Sequence, residues 1–303
     1  MNQSATGSTV VQRRVFVSVT NDRSLDDRRR ALKTAIVARL QRHDLMPQLF
    51  FEAGLAENMA WNFENVDRVM RKCVGAIVIG FPRWAASPPA TQQWIGEYNH
   101  YEGAVALSCR LPVMLLAERG VENRGIVWSG AGRPITYIPE DATPDWLESQ
   151  DFLRRFDGWV RDVEYRRDVF LGYCSQNQGT AAIIENRLMR SGATVLNYQM
   201  DFRAGVSILD EIEAAAARCS CGIFLFGNND PLQGMDGGAA PRDNVVFEAG
   251  YFMNAKGPDR CLIIREDNAK MPADLGGAIY LSIKNSEVAA IEGRLARFLA
   301  ENL

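Results

Sequence analysis

The sequence has little of what metal centres and phosphate-binding loops require. It contains only 2 histidines, and its 6 cysteines form no Cys-x-x-Cys pair and lie mostly in or beside apolar runs. We therefore expect no metal site and no disulfide framework, since buried and reduced cysteines are typical of a cytoplasmic protein. A glycine-rich loop of the Walker or dinucleotide-binding type is also missing from the sequence.

The sequence also lacks a large excess of charge and any long hydrophobic run. Its net charge is −3 and its basic clusters are dispersed among acids, which excludes the electrostatic pattern of nucleic-acid binding. The longest apolar runs, such as residues 75–81, are far too short to span a bilayer. Residues 1–9 are polar and lack the apolar segment of a secretory signal. We therefore expect a cytoplasmic protein without direct nucleic-acid or membrane partners.

What the sequence does contain is an ordinary globular composition arranged as a repeat. A chain of 303 residues is expected to form two domains of about 150 residues each. Five segments of the first half recur in the second half in the same order, and the offset drifts by only a few residues, as loop insertions would make it. The matched pairs are RRVFVSV (13–19) with RRDVFLGY (166–173), RKCVGAIVIGF (71–81) with ARCSCGIFLFG (217–227), YEGAVA (101–106) with FEAGYF (247–252), LPVMLLAE (111–118) with RCLIIRED (260–267), and ITYIP (135–139) with AIYLSI (278–283).

The repeat predicts the organisation of the chain. We expect a disordered tail at residues 1–12, a first domain at 13–163 and a second domain at 164–303. Each copy alternates apolar strands with amphipathic helical segments, which is typical of βα units, so the predicted fold class is α/β with a parallel sheet in each copy. Strands such as 77–79 and 223–226 are apolar throughout, as strands covered on both faces must be. Each copy ends in a helix with an apolar stripe.

One carboxylate stands inside the otherwise apolar run RDNVVFEAGYF at residues 242–252. On a helix, residues three, four and seven apart share a face, and such an apolar face normally packs in the core. The residues of that face are Val245, Glu248, Ala249 and Phe252. A solvated glutamate therefore does not fit the pattern.

Two explanations for Glu248 remain open at this point. The glutamate is either a structural buried partner of Arg242 or Arg203, or a carboxylate that lines a cleft. The helix opens after the predicted strand at 223–226, and ligands of open parallel sheets bind beyond the carboxyl ends of the strands. This position favours the cleft.

Five segments of the second copy carry a resemblance to a known family. They are DVFLGYCS (168–175), DFRAGVSI (201–208), CGIFLFGNND (221–230), RDNVVFEAGYF (242–252) and MPADLGGAIYLSI (271–283). Together they resemble the TIR-like domain of bacterial anti-phage effectors of the CBASS and Pycsar systems, over about residues 168–283. The resemblance implies a flavodoxin-like sheet, so the chain is expected to hold two tandem flavodoxin-like, TIR-like domains.

The resemblance also implies an activity, which is hydrolysis of NAD+ with Glu248 as the catalytic glutamate. NAD+ is then the substrate, and no cofactor is expected. Activation is expected to require assembly into a homo-oligomer, triggered by a nucleotide second messenger or by a partner protein of a defence system. Arg203 lies in the loop with which TIR domains contact the next subunit, so it is a candidate interface residue, although an exposed loop arginine is the default.

Other residues of the second copy are weaker candidates for the site. A glycine and a tyrosine follow the first strand, where the backbone approaches a nucleotide, although a glycine there is more often a turn. Ser175 and Gln176 follow, and they could donate hydrogen bonds to phosphate or ribose, or could belong to a solvated loop. The candidate substrate-binding residues are Gly172, Tyr173, Ser175, Gln176, Asn244 and Phe247.

The first copy resembles the family only loosely. It looks like a divergent TIR-like or nucleoside deoxyribosyltransferase-like domain. Glu102 matches Glu248 at an offset of 248 − 102 = 146, and Glu97 lies a turn earlier. Both carboxylates are candidates, but a scaffold or a sensing copy is favoured over a second active site.

A single glutamate is sufficient for the implied chemistry. Nicotinamide leaves NAD+ as a neutral molecule, so the general acid that ordinary glycoside hydrolysis uses is not required. One carboxylate can hold the ribose hydroxyls or stabilise the growing positive charge, and it does so best in a dry pocket. An apolar surround is expected to supply that dryness and to raise the pKa of the glutamate. The expected surround is Val245, Phe247, Phe252 and Tyr173.

Two other functions are compatible with the sequence. The first is glycosyl cleavage or transfer on another nucleoside or nucleotide, since the deoxyribosyltransferase fold is close by. The second is a binding module, in which one or both copies sense a nucleotide signal and pass it to a partner. Loss of NAD+ would separate the predicted activity from both, and binding without turnover would support the module.

Overall fold

The computed structural model describes residues 11–50, 60–197, 205, 207–232, 238–266, 269–272, 275 and 280–303. The chain divides into two compact units, Gln12–Tyr165 and Arg166–Leu303. Val11 goes with the second unit, and its N–H donates to the carbonyl oxygen of Ser191 at 3.0 Å. The rest of the predicted tail, residues 1–10, lies outside the described residues.

The first unit alternates strands and helices as the sequence predicts. Its strands are β1 (Arg13–Val19), β2 (Leu45–Gln48), β3 (Cys73–Gly80), β4 (Trp84–Ala85), β5 (Gln93–Trp94), β6 (Val113–Glu118) and β7 (Ile135–Ile138). Its helices are α1 (Asp27–Arg42), α2 (Phe63–Met70), α3 (Glu97–Ser108) and α4 (Gln150–Tyr165), with short 3-10 helices at Asp22–Ser24, Gly125–Val127, Ser129–Ala131 and Pro144–Glu148.

The second unit repeats this alternation. Its strands are β8 (Arg167–Tyr173), β9 (Val195–Asn197), β10 (Cys219–Phe226), β11 (Asp230–Pro231), β12 (Ala239–Ala240), β13 (Cys261–Glu266) and β14 (Tyr280–Ile283). Its helices are α5 (Gln178–Arg190), α6 (Ile208–Arg218), α7 (Asp243–Lys256) and α8 (Glu292–Asn302), with short 3-10 helices at Ser175–Asn177, Pro258–Arg260 and Val288–Ile291.

Within the described residues, each unit holds one five-stranded sheet, and all the strand pairs in both of these sheets are parallel. The strand order is β2-β1-β3-β6-β7 in the first unit and β9-β8-β10-β13-β14 in the second. When only the strands of the five-stranded sheet are counted, both orders are 2-1-3-4-5, the order of flavodoxin-like sheets. The predicted fold class, α/β with two tandem parallel sheets, is confirmed.

The central strands show why the apolar runs carry no alternation. Every residue of β3 and of β10 is buried, because helices cover both faces of each sheet. The helices that end the units present the predicted apolar stripes to their cores. The buried residues of these stripes are Phe152, Phe156, Trp159 and Val160 on α4, and Leu295 and Leu299 on α8. No helix in the described part of the chain is long and apolar enough to cross a membrane.

The strand registers identify equivalent positions in the two units. Ser18 of β1 pairs with Val78, and Gly172 of β8 pairs with Phe224. Each is the sixth residue of a seven-residue strand. Ser18 and Gly172 therefore occupy the same place in their sheets, next to the carboxyl edge.

Candidate functional site

Glu248 is the sixth residue of α7, the helix that follows the central strand β10. The predicted helix face is confirmed, because its four members are the four buried residues of α7, and Glu248 is only 4% exposed. The helix begins after Arg242 without a side-chain cap, so Glu248 has no capping role. Its position is fixed by the packing of an apolar face that the glutamate interrupts.

Gly172 makes room for the Glu248 carboxyl group at the sheet. A Cβ atom on Gly172 would lie 2.8 Å from Oε2 of Glu248 and 2.7 Å from Cδ1 of Phe224. Real Cβ atoms do not approach other heavy atoms so closely, so a side chain at this position would force the carboxyl group or the ring to move. Glycine is required here by close approach and not by an unusual backbone angle.

Aromatic rings pack against the buried face of α7 that carries Glu248. Phe252 stacks on Phe170 with ring centroids 4.7 Å apart and meets Phe224 edge-on at 5.4 Å. Burial raises the pKa of Glu248 to about 8. Val245 and Phe252 belong to this buried cluster as predicted.

The alternative of a structural pair with Arg242 is wrong. Arg242 Nη1 donates to Asp230 Oδ1 at 2.7 Å instead. Within the described residues, Oε2 of Glu248 is buried and has no hydrogen-bond partner. Arg203, the other predicted partner and the candidate interface residue, lies outside the described residues.

Tyr173 and Phe247 do not belong to the buried surround of Glu248, and that prediction is wrong for both. Successive residues of a strand point to opposite faces, so Tyr173 leaves the face on which Gly172 meets Glu248. Its hydroxyl donates to Asn197 Oδ1 at 2.9 Å within the other core of the second unit. Phe247 is 52% exposed, because it lies off the buried face of α7. Their roles in substrate binding stay predictions.

The remaining candidates lie on the surface. Ser175, Gln176 and Asn244 are exposed. Ser175 and Gln176 belong to the segment that follows β8, at the carboxyl edge near which Gly172 meets Glu248. Their binding roles also stay predictions.

A polar hub that the sequence did not reveal holds this segment. Asn177 Nδ2 donates to Glu266 Oε2 at 2.6 Å, and Asn177 Oδ1 accepts from Asn229 Nδ2 at 2.7 Å. The other oxygen of Glu266 accepts from Thr180 and Ser286, each at 2.8 Å. Glu266 ends β13, so the hub ties three connections at the carboxyl edge to one buried carboxylate. The only sequence signal is a glutamate that ends an apolar strand.

In the first unit, Glu102 is the sixth residue of α3 and is 5% exposed. Trp61 Nε1 donates to its Oε1 at 3.0 Å. Burial is the main reason why the pKa of Glu102 is raised, and hydrogen bonds from Ser18 and Trp61 oppose this shift. Glu97 is exposed, and the hydrogen bond from Trp84 Nε1 at 3.0 Å lowers its pKa.

The segment that carries Gly172 and Glu248 has a recognisable sequence family. Residues 168–285 match the TIR domain of the CAP12/Pycsar effector proteins. The predicted resemblance is therefore confirmed for the second unit. The matched range does not include the first unit, whose kinship to the family stays a prediction.

Individual relatives match over parts of their length. The chain is 36% identical over 90 residues to CD-NTase-associated protein 12 from Lachnospiraceae bacterium (strain RUG226). This alignment covers 28% of each of the two chains. The chain is 34% identical over 109 residues to the Pycsar effector protein BcPycTIR from Burkholderia cepacia, covering 34% of this chain and 36% of the relative. The aligned parts thus span about a third of these relatives or less.

Solved TIR structures are also similar to this chain. The TIR domain of the Toll-related receptor TRR-2 from Hydra magnipapillata superposes with a TM-score of 0.35 and 15% sequence identity. The match covers 44% of this chain and 98% of that domain.

Proposed function

We propose that the protein is an anti-phage defence effector whose second unit hydrolyses NAD+ at the bond between nicotinamide and ribose, with Glu248 as its catalytic residue. The observation that carries this proposal is the buried Oε2 of Glu248, which faces Gly172 and lacks a hydrogen-bond partner among the described residues. Buried polar atoms are normally paired, so an orphaned carboxylate oxygen at a sheet edge points to a ligand. The family match of residues 168–285 supports the same assignment.

The reaction follows from the charge of the substrate. In NAD+ the positive charge lies on the nicotinamide ring, and it moves to the ribose as the bond from the anomeric carbon to the ring nitrogen breaks. The electron pair of that bond leaves with nicotinamide, which is neutral. A carboxylate beside the anomeric carbon stabilises the oxocarbenium ion, and water then adds to give ADP-ribose and one proton.

Because the pKa of Glu248 is raised, the ionisation of its carboxyl group depends on the binding of substrate. With a pKa of about 8, most of the carboxyl groups are neutral at pH 7 before substrate binds. A cationic nicotinamide ring nearby favours the charged carboxylate and lowers this pKa. Substrate would therefore create the carboxylate that its own cleavage needs.

Regulation and location complete the proposal. Assembly into a homo-oligomer activates the second unit, in response to a nucleotide second messenger or a partner protein of the defence system. The reaction takes place in the cytoplasm, where NAD+ is available, and it uses NAD+ as substrate without a cofactor. The first unit serves as scaffold or sensor.

The test is the release of nicotinamide from NAD+ by the purified full-length chain at high protein concentration, which favours assembly. We expect nicotinamide and ADP-ribose in equal amounts and, for Glu248→Gln, a loss of at least about 100-fold, because a lost transition-state charge contact has this effect. Unchanged NAD+ in the presence of cleaved nucleosides would favour a glycosyl hydrolase or transferase for another substrate. Binding of NAD+ without turnover would favour the binding module.

A further inference from the structure

The first unit contains a cavity of about 400 Å³ at the carboxyl edge of its sheet. Its walls come from the end of β1, from the segment after it and from α3. Protein clefts that bind small molecules are about this size or larger, and proteins with open parallel sheets bind ligands at this edge. The cavity therefore has the size and the place of a small-molecule site.

Thr20 supplies a polar atom that no described residue satisfies. The residue is 5% exposed and lines the cavity, and its Oγ1 is buried without a hydrogen-bond partner among the described residues. A buried hydroxyl without a partner is costly. It is therefore a sign that the cavity accommodates a hydrogen-bonding ligand.

The floor of the cavity is polar and held in place. Asn99 is 2% exposed, and its Nδ2 donates to Ser18 Oγ at 2.9 Å. Ser18 in turn bonds the Glu102 carboxyl group, which also accepts from Trp61. Both Asn99 and Glu102 line the cavity. An apolar ligand would remove these groups from water without replacing their hydrogen bonds, so the floor selects a ligand rich in hydroxyl groups.

Two cationic side chains, Lys33 and Arg83, line the cavity. Lys33 is already paired with Asp22 at 2.8 Å. The Arg83 guanidinium lies over the ring of Trp84, 5.1 Å from its centroid, and its buried Nε has no hydrogen-bond partner among the described residues. A planar guanidinium held by stacking is suited to bind a phosphate group.

We propose that this cavity binds a sugar phosphate, either free or as part of a nucleotide, with Thr20 and Asn99 bonding the sugar hydroxyls and Arg83 bonding the phosphate. The ligand is bound and not cleaved, because the Glu102 carboxyl group already accepts hydrogen bonds from Trp61 and Ser18. This site belongs to the first unit and does not depend on NAD+ cleavage by the second.

The experiment is calorimetric titration of the full-length Glu248→Gln protein, which consumes no substrate, with ribose 5-phosphate, AMP and ribose. We expect one site for ribose 5-phosphate or AMP, and the stronger of these two identifies the free or the nucleotide form. Thr20→Val, which keeps the volume, should weaken binding by about tenfold, because it removes a buried hydrogen bond. Arg83→Gln should weaken the two phosphates but leave ribose unchanged.

Gly172→Ala in the same background is the matched control for the second unit. The added Cβ would displace the side chain at position 248, so binding that survives Gly172→Ala and falls with Thr20→Val belongs to the first unit. Equal affinity of Thr20→Val, Arg83→Gln and the parent for all three probes would overturn the proposal, as would no binding of any probe. Thermal unfolding of each variant tests whether the variant is folded. If Thr20→Val is unfolded, the affinities of Arg83→Gln for the three probes test the proposal.

Discussion

The helices α3 and α7 each bury a glutamate at their sixth residue, and the two carboxyl groups differ in what they touch. Glu102 accepts hydrogen bonds from Trp61 and Ser18, whereas Oε2 of Glu248 has no partner among the described residues. Both carboxyl groups are buried away from water, but only Glu102 has hydrogen bonds that compensate for the lost hydration. Two sheets of the same topology thus lie beside one carboxyl group that is hydrogen-bonded and one that has an unpaired oxygen among the described residues.

One part of the difference arises at a single strand position. Ser18 and Gly172 stand at equivalent places, and the serine hydroxyl bonds the glutamate in one unit while the glycine leaves only space in the other. A desolvated carboxyl group without compensation keeps a raised pKa and strong electrostatics toward a nearby cation. This difference supports the proposal that the second unit carries the chemistry and that the first unit binds a ligand or serves as scaffold.

Among variants that keep both glutamates, the largest expected effect comes from Gly172→Ala. The new Cβ would stand 2.8 Å from Oε2 of Glu248, so the carboxyl group must move. We expect NAD+ cleavage to fall by about 100-fold, which is the cost of misplacing a catalytic group by roughly 1 Å. Initial rates of nicotinamide release measure the effect.

Gly250→Ala is the control for that variant. Gly250 lies on the same helix as Glu248, and an added Cβ there meets no atom of the described residues within 4 Å. Alanine favours helix over glycine, so cleavage should be unchanged and the fold slightly stabilised. Equal activity of the two alanine variants would show that Gly172 does not position Glu248.

The pH dependence of NAD+ cleavage is the next largest effect. If the charged form of Glu248 is required, kcat/KM rises about tenfold per pH unit below the pKa of about 8 and levels off above it. The profile of kcat should level off at lower pH, because bound cationic substrate lowers the pKa. A kcat/KM profile that is flat from pH 6 to pH 9 would mean that another group carries the charge.

The same pKa has a consequence for stability. The folded protein keeps a proton on Glu248 up to about pH 8, whereas the unfolded chain loses it near 4.5, so this group makes the free energy of unfolding fall as pH rises between these values. The slope is at most about 1.4 kcal/mol per pH unit.

Glu248→Gln removes this slope. Urea denaturation should show that the variant gains stability relative to the parent between pH 5 and pH 8, by about 4 kcal/mol as an upper limit. A constant difference between the two proteins over this range would indicate that Glu248 is ionised well below pH 8.

The smallest effect is expected in the first unit. Ser18→Ala deletes the hydroxyl that links Asn99 to Glu102 and should lower the free energy of unfolding by about 1–3 kcal/mol. NAD+ cleavage by the folded protein should stay at the parent rate. A loss of cleavage as large as that of Gly172→Ala would place the first unit in the chemistry.

Much of the fold and one part of the site could be predicted from the sequence. Repeated apolar strands predicted two parallel sheets, and helical spacing placed Glu248 on a buried face together with Val245 and Phe252. These features depend on local periodicity, which a single chain displays directly. Family resemblance added the assignment of residues 168–283 and the implied activity.

Contacts between residues that lie far apart in the sequence could not be predicted in this way. Trp61 reaches Glu102 across 41 positions, and Asn177 reaches Glu266 across 89. Such pairs depend on how separate connections meet at the sheet edge, and no periodicity encodes them. The prediction placed Tyr173 in the surround of Glu248, although strand alternation puts it on the face opposite Gly172.

The most direct test compares Glu248→Gln with Glu102→Gln in one assay. Both substitutions remove one buried carboxylate at the sixth residue of equivalent helices and keep its volume, so each controls for the structural effect of the other. The measured quantity is the rate of nicotinamide release from NAD+ per mole of folded, assembled protein at pH 8. We predict that Glu248→Gln loses at least about 100-fold while Glu102→Gln stays within about threefold of the parent. Full activity of a folded Glu248→Gln protein, or equal loss in both variants, would contradict the assignment of catalysis to the second unit alone.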